Sequence, residues 1–329
     1  MKHISPFVLL LFVVVFCSFH KGSRKQPGPK NGLPASNPFS SMSTLPYHAP
    51  DFSKIKDADY KPALEEGIKI QQKEIEKIAN NPALPTFENT LVAMEKSGQL
   101  LTTVSNVFGL ITGANTNDNL QKLQEEFAPK LTANQDAIYL NTKLFKRIET
   151  IYKNRLKLKL DKESNRLAEY MYQQFVLAGA NLSEANKEAM KKLNGDESLL
   201  SAKFSNQLVN AAKSGALVIS NKEELAGLSS SETDAFQQSA KARNLDGKWL
   251  LTLQNTTQQP LLQTLADRNT RSKLFDASWQ RAERGDSNDT RKPDTKNSSH
   301  KSRKGKANGF CQLCSLEAER PNGADTRSC

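Results

Sequence analysis

Two cysteines three positions apart form the pattern in this sequence that comes nearest to a reactive or metal-binding site. Cys311 and Cys314 lie in a basic stretch, with His300 before them and Cys329 after them. A C-x-x-C pair can supply half of a zinc site, or a thioredoxin-like redox pair beside a βαβ unit. The chain has neither a second C-x-x-C pair nor a βαβ pattern, so both interpretations are minor alternatives.

Histidine, a common general base and zinc ligand, does not occur in the central part of the chain. The four histidines are His3, His20, His48 and His300. Residues 49–299 therefore offer no imidazole for general-base catalysis, for a Ser or Cys triad, or for zinc. The sequence also contains no H-E-x-x-H, G-x-S-x-G or phosphate-loop motif. We therefore predict no catalytic residue, no metal-binding residue and no cofactor in this chain.

Neighbouring carboxylates are common but show no acid–base pattern. Glu125 with Glu126, and Glu223 with Glu224, are expected on polar helix faces in contact with water. The stretch G-D-S-N-D at 285–289 is typical of a turn rich in capping residues, and a cation site there would need more oxygen ligands. Residue types and spacing alone indicate a helical scaffold without an active site.

The net charge of +11 is concentrated at the two ends of the chain. Residues 1–37 carry +5 and residues 292–329 carry +4, which leaves +2 for residues 38–291. This nearly neutral central part gives no support to nucleic-acid binding. It also contains no cysteine, which excludes a fold held together by disulfides there.

The N-terminus is typical of an export signal. A short basic start precedes an apolar run at 7–17, which is too short to span a bilayer but suits the core of a signal peptide. We expect a signal peptide at 1–19, a flexible linker at 20–37 and a location in the cell envelope or periplasm. Membrane anchoring is expected only through this signal region. Phe16 argues against lipidation of Cys17, and a buried N-terminal strand is the alternative.

Apolar residues at three- and four-residue steps predict helices from about residue 58 onward. The N-N-P-A-L-P-T stretch ends the first helix, because two prolines follow an Asn pair. A capping box at Ser229 and Glu232 predicts another helix start. After the first helix, the predicted helices are 86–112, 117–140, 142–158, 162–178, 183–213, 231–243, 258–266 and 268–282.

Two short apolar runs break the helical pattern. A-L-V-I-S at 216–220 and K-W-L-L-T-L-Q at 248–254 are too short for helices, and they are predicted as strands that could pair in a ribbon. The predicted fold class is therefore mostly α with a minor β ribbon.

Five stretches resemble the N-terminal half of bacterial peptidyl-dipeptidases, members of the thimet oligopeptidase/neurolysin family of zinc metallopeptidases. The resemblance runs from about Asn37 to Arg291, and P-T-F-E-N-T at 85–90 is a specific signature. The stretches are APDFSKIKDADYKPALEEGIK (49–69), NPALPTFENTLVAME (81–95), AGANLSEANKEAMKKLN (178–194), LVISNKEELAGLS (217–229) and KARNLDGKWLLTLQNTTQQPLL (241–262).

This resemblance implies the N-terminal helical part of a neurolysin-like fold, at residues 38–291, with the rest of the fold missing. It also implies an enzyme that uses zinc-activated water to release C-terminal dipeptides from oligopeptide substrates. The family holds its zinc with an H-E-x-x-H helix and a later glutamate. None of these positions exists in this sequence, so the resemblance assigns no catalytic or metal ligand here.

Beyond Arg291 the resemblance stops, and residues 292–329 are interpreted as an out-of-frame, disordered tail. Degenerate codons for residues 306–328, read one base later, permit K-L-M-G-F-A-N-Y-A-A-W-K-L-N-D-Q-M-A-Q-T-P-E-A, which resembles the family's next segment. Cys311 and Cys314 would then be by-products of shifted codons.

Three functions are open at this point. The first is a fragment of a zinc-dependent peptidyl-dipeptidase that is inactive alone because the zinc half is missing. The second is a non-catalytic helical module that binds peptides or a partner. The third is one half of a split enzyme whose zinc half is a second polypeptide.

Overall fold

A computed structural model describes residues 31–291 of the 329-residue chain. These residues are mostly helical and include one small two-stranded sheet. The cysteine pattern at 311–329, the signal region at 1–19 and the tail at 292–329 lie outside them. The domain boundaries proposed from the sequence therefore stay predictions.

The helices follow the apolar spacing of the sequence closely. In chain order they are α1 (Asp57–Ala79), α2 (Ala93–Glu95), α3 (Gln99–Ala114), α4 (Asp118–Tyr139), α5 (Thr142–Asn154), α6 (Lys162–Ala178), α7 (Glu184–Ser214), α8 (Ser230–Lys241), α9 (Asn255–Thr264) and α10 (Arg268–Trp279). Short 3-10 turns lie at Pro38–Ser40, Pro46–His48 and Lys222–Leu225, and a π-helical turn spans Phe87–Val92.

Helices α1, α3 and α4 enclose the first hydrophobic core. Tyr60 and Leu64 of α1, Val104 of α3 and Phe127 of α4 are all buried there. Gly67 allows the closest approach of α1 and α3, since a Cβ on it would lie 2.9 Å from the Cα of Leu101. The missing side chain therefore sets the distance between these two helices.

A second core lies where the C-terminal half of α1 meets α5 and α6. Leu144 and Ile148 of α5 pack there with Phe175 of α6 and Leu91 of the π-helical turn. These four side chains are fully buried. Along α5, the buried Leu144, Ile148 and Ile151 recur at steps of four and three residues, the pattern expected of a helix with one apolar face.

The predicted β ribbon is present. Strand β1 (Leu217–Ile219) pairs antiparallel with strand β2 (Trp249–Leu251), and Val218 lies opposite Leu250. Ile219 and Leu251 pack with α9 and α10 in a third core. Strand β1 follows α7 directly in the chain, so the ribbon connects the end of α7 to the core formed with α9 and α10.

The prediction of a single helix over 86–112 is wrong. The chain instead forms the π-helical turn and α2, and then breaks at Gly98 before α3 begins. Gly98 has a φ of 70°, a left-handed conformation that glycine adopts at low cost. Its N–H donates to Glu74 of α1 at 2.8 Å, so a distant side chain stabilises the break. Helix α5 also ends earlier than predicted, at Asn154.

The predicted capping box at Ser229 is confirmed. The N–H of Glu232 donates to the Ser229 hydroxyl, and the Glu232 carboxylate accepts from the Ser229 N–H at 2.9 Å. These two bonds satisfy donors that the first turn of α8 cannot pair within the helix.

Asp267 caps α10 and gives the fold a pH-dependent contribution. Its carboxylate accepts from the hydroxyl of Thr270 at 2.6 Å and from the N–H of Thr270 at 2.9 Å. These hydrogen bonds lower the pKa of Asp267. A folded pKa below the unfolded value gives stability that is present above the unfolded pKa and is lost as the pH falls through the folded pKa.

We therefore expect Asp267→Asn to reduce the loss of stability on acidification, because asparagine keeps a capping oxygen but does not titrate. The urea midpoint, measured from neutral pH down to below the ordinary aspartate pKa, checks this. Asp276→Asn, an exposed change on the same helix, is the matched control. Equal acid sensitivity of the wild type and Asp267→Asn would contradict the assignment.

Candidate functional site

The paired carboxylates found in the sequence serve separate contacts and do not form an acid–base site. Glu126 accepts from both Lys130 and Lys61 at 2.7 Å, and these ammonium groups lower the pKa of its carboxyl group. Glu125 instead accepts from Asn206 of α7 at 3.0 Å. Glu224, which lies on a 3-10 turn and not on a longer helix, pairs with Lys273 of α10 at 3.1 Å.

The G-D-S-N-D stretch at 285–289 is a turn held by its own side chains. The Asp289 carboxylate accepts from the Gly285 N–H at 2.8 Å and pairs with Arg291, while Asp286 accepts from the Asn288 N–H at 2.8 Å. Within residues 31–291, no group of three or more His, Cys, Asp and Glu side chains could hold a metal ion.

The P-T-F-E-N-T signature contains the N-terminal cap of the π-helical turn. Thr86 and Asn89 form a reciprocal capping box, in which each side chain accepts from the other residue's N–H at 3.1 and 2.9 Å. The Asn89 amide also donates to the Leu84 carbonyl at 2.9 Å. The signature thus fixes the conformation of the irregular segment at 81–86, which precedes the π-helical turn.

Arg147 of α5 binds the loop at 81–90 through its guanidinium group. Its guanidinium donates to the carbonyls of Asn81 and Ala83 at 2.8 and 3.0 Å, to the Asn89 amide oxygen at 2.9 Å and to the Thr90 hydroxyl at 3.2 Å. The residue is only 7% exposed, and burial lowers the pKa of its guanidinium. A planar group with five donors suits this set of acceptors, so the signature is a structural clamp.

A second buried cation links α5 to α7. Lys187 is 2% exposed, and its ammonium group donates to the Thr142 hydroxyl at 2.7 Å and to the Glu184 carboxylate at 3.0 Å. Both partners lie at the N-terminal turns of their helices. Lys187 therefore fixes the relative position of two helix starts, a structural role.

Helices α4 and α7 meet along a polar seam. Asn206 donates to the Gln121 carbonyl at 3.2 Å and to Glu125, and Gln121 exchanges amide hydrogen bonds with Asn210 at 3.1 and 3.4 Å. Gln121 is buried, although its side chain is polar. Three residues of this seam, Gln121, Glu125 and Asn210, also line an open cleft at the surface.

We name this depression the cationic cleft, because three of its lining residues are basic. It has a volume of about 550 Å³. Its lining comprises Asp118, Gln121, Lys122, Glu125, Asn210, Lys213, Ser214, Arg243 and Asn288. Four separate parts of the chain supply these residues: α4, α7, the turn after α8 and the loop at 285–289.

An exposed aromatic face lies on α10 and consists of Phe275 and Trp279. Their rings stack with centroids 5.9 Å apart, and the two side chains are 50% and 77% exposed. Leu274 on the inner side of the helix is fully buried in the third core. The two rings side by side form an exposed apolar patch on this helix.

Sequence reasoning found neither the Arg147 clamp nor the cationic cleft, and it did not single out the aromatic face. The clamp and the cleft bring together residues that are far apart in the sequence, so no local sequence pattern predicts them. The aromatic face does have a local signal, because two aromatic residues four apart lie on the same side of a helix. In the described part of the chain, no helix combines the length and apolar character needed to cross a membrane.

The described residues form a helical scaffold with a small β ribbon and the loop that contains the P-T-F-E-N-T signature. Characterised proteins with similar sequences are known. Over most of its length the chain is homologous to the dipeptidyl carboxypeptidase and oligopeptidase A family of peptidases. It is 47% identical over 257 residues to dipeptidyl carboxypeptidase of Salmonella typhimurium and 48% identical over 255 residues to that of Escherichia coli. Each alignment covers 78% of this chain.

A more distant relative is oligopeptidase A of Haemophilus influenzae, at 24% identity over 247 residues, covering 75% of this chain and 35% of the relative. The chain spans 38% and 37% of the length of the two dipeptidyl carboxypeptidases. No family model matches the chain. The comparisons confirm the family resemblance seen in the sequence.

Proposed function

We propose that residues 38–291 are the N-terminal structural half of a zinc-dependent peptidyl-dipeptidase, which releases C-terminal dipeptides from oligopeptides, and that this chain alone does not hydrolyse them. The observation that carries the proposal is the identity of 47–48% to dipeptidyl carboxypeptidases over 255 to 257 residues. The catalytic half would be supplied from outside residues 38–291.

The described residues do not fit a zinc ion. Among residues 31–291, no three potential ligands lie together, and the complete sequence contains no H-E-x-x-H motif. A catalytic zinc site needs three protein ligands and an open position. We therefore assign a structural role to this half and the hydrolytic step to the other half.

The aromatic face on α10 is proposed to contact that other half. The two dipeptidyl carboxypeptidases extend well beyond the part that matches this chain, so a large structure remains to be placed against it. Phe275 and Trp279 are the kind of large aromatic side chains that anchor interfaces. Trp279 also lies twelve residues before Arg291, where the resemblance found in the sequence ends.

We propose that the missing half arises in one of two ways. Either one base restores the reading frame after Arg291 and the downstream codons encode an H-E-x-x-H helix, or a separate polypeptide supplies the zinc half. The shifted reading of residues 306–328 supports the first. Independent nucleotide sequencing of codons 285–329 and the region beyond distinguishes these two origins. Only the first predicts a nucleotide sequence that differs by one base from the sequence encoding this chain.

The proposed location is the cell envelope or periplasm, where oligopeptides would be the substrates. The support is the basic start and the apolar run at 7–17, the arrangement typical of an export signal. The N-terminal sequence of the mature protein, purified from cell fractions, tests this. A cytoplasmic protein that retained Met1 would contradict it.

The activity proposal makes a direct prediction. Incubation of the full 329-residue chain with an N-blocked oligopeptide and added zinc is expected to release no dipeptide, because residues 31–291 hold no group of three potential ligands and the sequence has no H-E-x-x-H motif. Mass spectrometry of the reaction mixture measures this, with Escherichia coli dipeptidyl carboxypeptidase as the positive control. Zinc-dependent release of dipeptides by the chain alone would contradict the proposal.

The same sample distinguishes the alternative of a binding module. Fluorescence anisotropy of a labelled oligopeptide would rise with chain concentration if the chain held peptides without cutting them. Binding without turnover favours a peptide-binding module or a split enzyme. Restoration of turnover by a separately produced zinc half would identify the split enzyme.

A further inference from the structure

We propose that the cationic cleft is a binding site for a phosphate-class oxyanion. The site does not depend on the peptidase assignment, since none of its lining residues is given a role in peptide hydrolysis. The argument rests on the charges, hydrogen-bonding groups and shape of the cleft.

Three cations border the cleft without a carboxylate partner. Within residues 31–291, Lys122, Lys213 and Arg243 form no ion pair, although eleven ion pairs occur elsewhere in that part of the chain. Like charges that converge on one depression repel each other and raise the local potential. An anion bound between them removes that repulsion.

The two carboxylates in the lining do not cancel this field. Glu125 accepts from Asn206 at 3.0 Å, so it is already engaged in the polar seam. Asp118 is the first residue of α4, where the positive end of the helix dipole offsets its charge. The ionisable groups that line the cleft still sum to a net charge of +1 at neutral pH.

Arg243 is held in a position suited to an oxyanion. One guanidinium nitrogen donates to the Lys213 carbonyl at 2.7 Å, which ties the turn after α8 to the end of α7. This bond uses one of the five N–H donors of the guanidinium group. A planar fork of N–H donors matches two phosphate oxygens at once.

Neutral hydrogen-bonding groups complete the cleft. Asn288 donates to the Ser214 hydroxyl at 3.4 Å, and the amide of Gln121 donates to Asn210 at 3.4 Å. Bonds at that length are weak, so these groups can turn to a ligand at low cost. A cavity of about 550 Å³ has room for an anion larger than one phosphate.

A fourth cation lies close by. The guanidinium of Arg284 reaches to within 3.0 Å of the position a Cβ would take on Gly215, the residue after Ser214. Arg284 is not part of the cleft lining, but its guanidinium lies beside the end of α7, which supplies Lys213 and Ser214 to that lining. The shared ligand chemistry is the phosphate group, either in a free phosphate or in an anionic lipid headgroup.

Inorganic pyrophosphate is the first probe, titrated by calorimetry into the full 329-residue chain at low and at high salt. We expect saturable binding that weakens with salt, because screening reduces attraction between exposed charges. The double variant Lys122→Gln/Lys213→Gln is expected to bind about tenfold more weakly, which corresponds to a loss of about 1.4 kcal/mol. Both lysines are exposed and unpaired, so the fold should survive.

The double variant Lys192→Gln/Lys203→Gln is the matched control, since both are exposed lysines of α7 outside the cleft lining. Arg243→Lys tests the guanidinium fork while keeping the charge, and circular dichroism checks the fold of each variant. Sedimentation with phosphatidylglycerol vesicles tests the headgroup source. Binding of vesicles but not of pyrophosphate, lost in Lys122→Gln/Lys213→Gln, assigns the site to a headgroup.

Two results would overturn the proposal. One is the absence of binding to both pyrophosphate and vesicles by the folded chain. The other is an equal loss of affinity in the two double variants, which remove the same charge, because this would show that net charge alone, and not the cleft, attracts the anion. Neither result affects the peptidase assignment, which the dipeptide-release assay tests separately.

Discussion

Replacement of Arg147 by alanine is expected to lower the free energy of unfolding by about 3 to 5 kcal/mol. The guanidinium satisfies four acceptors in the loop at 81–90, and two of these are backbone carbonyls. Alanine removes the donor of the Asn81 and Ala83 carbonyls, whereas the Asn89 amide oxygen keeps its bonds from the Thr86 N–H and the Thr90 hydroxyl. The loss is therefore greater than that of one hydrogen bond.

The midpoint of urea unfolding, followed by circular dichroism, measures this effect. Lys146→Ala is the matched control, because Lys146 is the exposed neighbour on the same helix. Arg147→Lys should give an intermediate loss, since an ammonium group keeps the charge but cannot reach the carbonyls and both side chains together. If Arg147→Ala and Lys146→Ala had the same midpoint, the clamp would contribute nothing to stability.

Substitution of Gly67 by alanine is expected to destabilise the protein by about 1 to 3 kcal/mol. The new Cβ would lie 2.9 Å from the Cα of Leu101 and 3.1 Å from its N and Cβ. Two of these three atoms are backbone, so α1 and α3 must move apart. This cost exceeds the gain of about 1 kcal/mol that alanine brings to a helix interior.

Gly109→Ala provides a control of opposite sign. Gly109 lies on α3, and a Cβ there would meet nothing within 4 Å. Its replacement should stabilise the protein by up to about 1 kcal/mol through helix propensity alone. Thermal and urea midpoints of the two variants, measured side by side, separate packing from propensity. A stabilising Gly67→Ala would show that α1 and α3 can separate without loss.

The class of fold was predictable because its signals are local. The apolar spacing of α5, with Leu144, Ile148 and Ile151 on one face, depends only on the period of the helix. The capping box of Ser229 and Glu232 spans four residues. The two strands stood out because the apolar runs at 216–220 and 248–254 are too short for helices.

The break before α3 was not predictable in the same way. Met94 and Leu101 lie on the same helical face although five polar or glycine residues at 95–99 separate the apolar positions, so the spacing favours one helix over 86–112. What stabilises the break is the Glu74 carboxylate of α1, which accepts from the Gly98 N–H. Gln71 packs where a side chain on Gly98 would lie. A tertiary contact thus outweighs a local preference.

The sequence by itself determined the helical class, the ribbon, the family resemblance and the lack of an H-E-x-x-H motif, since each depends on residue types at short spacing. Only the tertiary structure decided the role of Arg147, which is 57 residues from Thr90, and the cationic cleft. In the cleft, α4 and the turn after α8 meet across more than a hundred residues. Contacts of that range follow from packing, which no local pattern encodes.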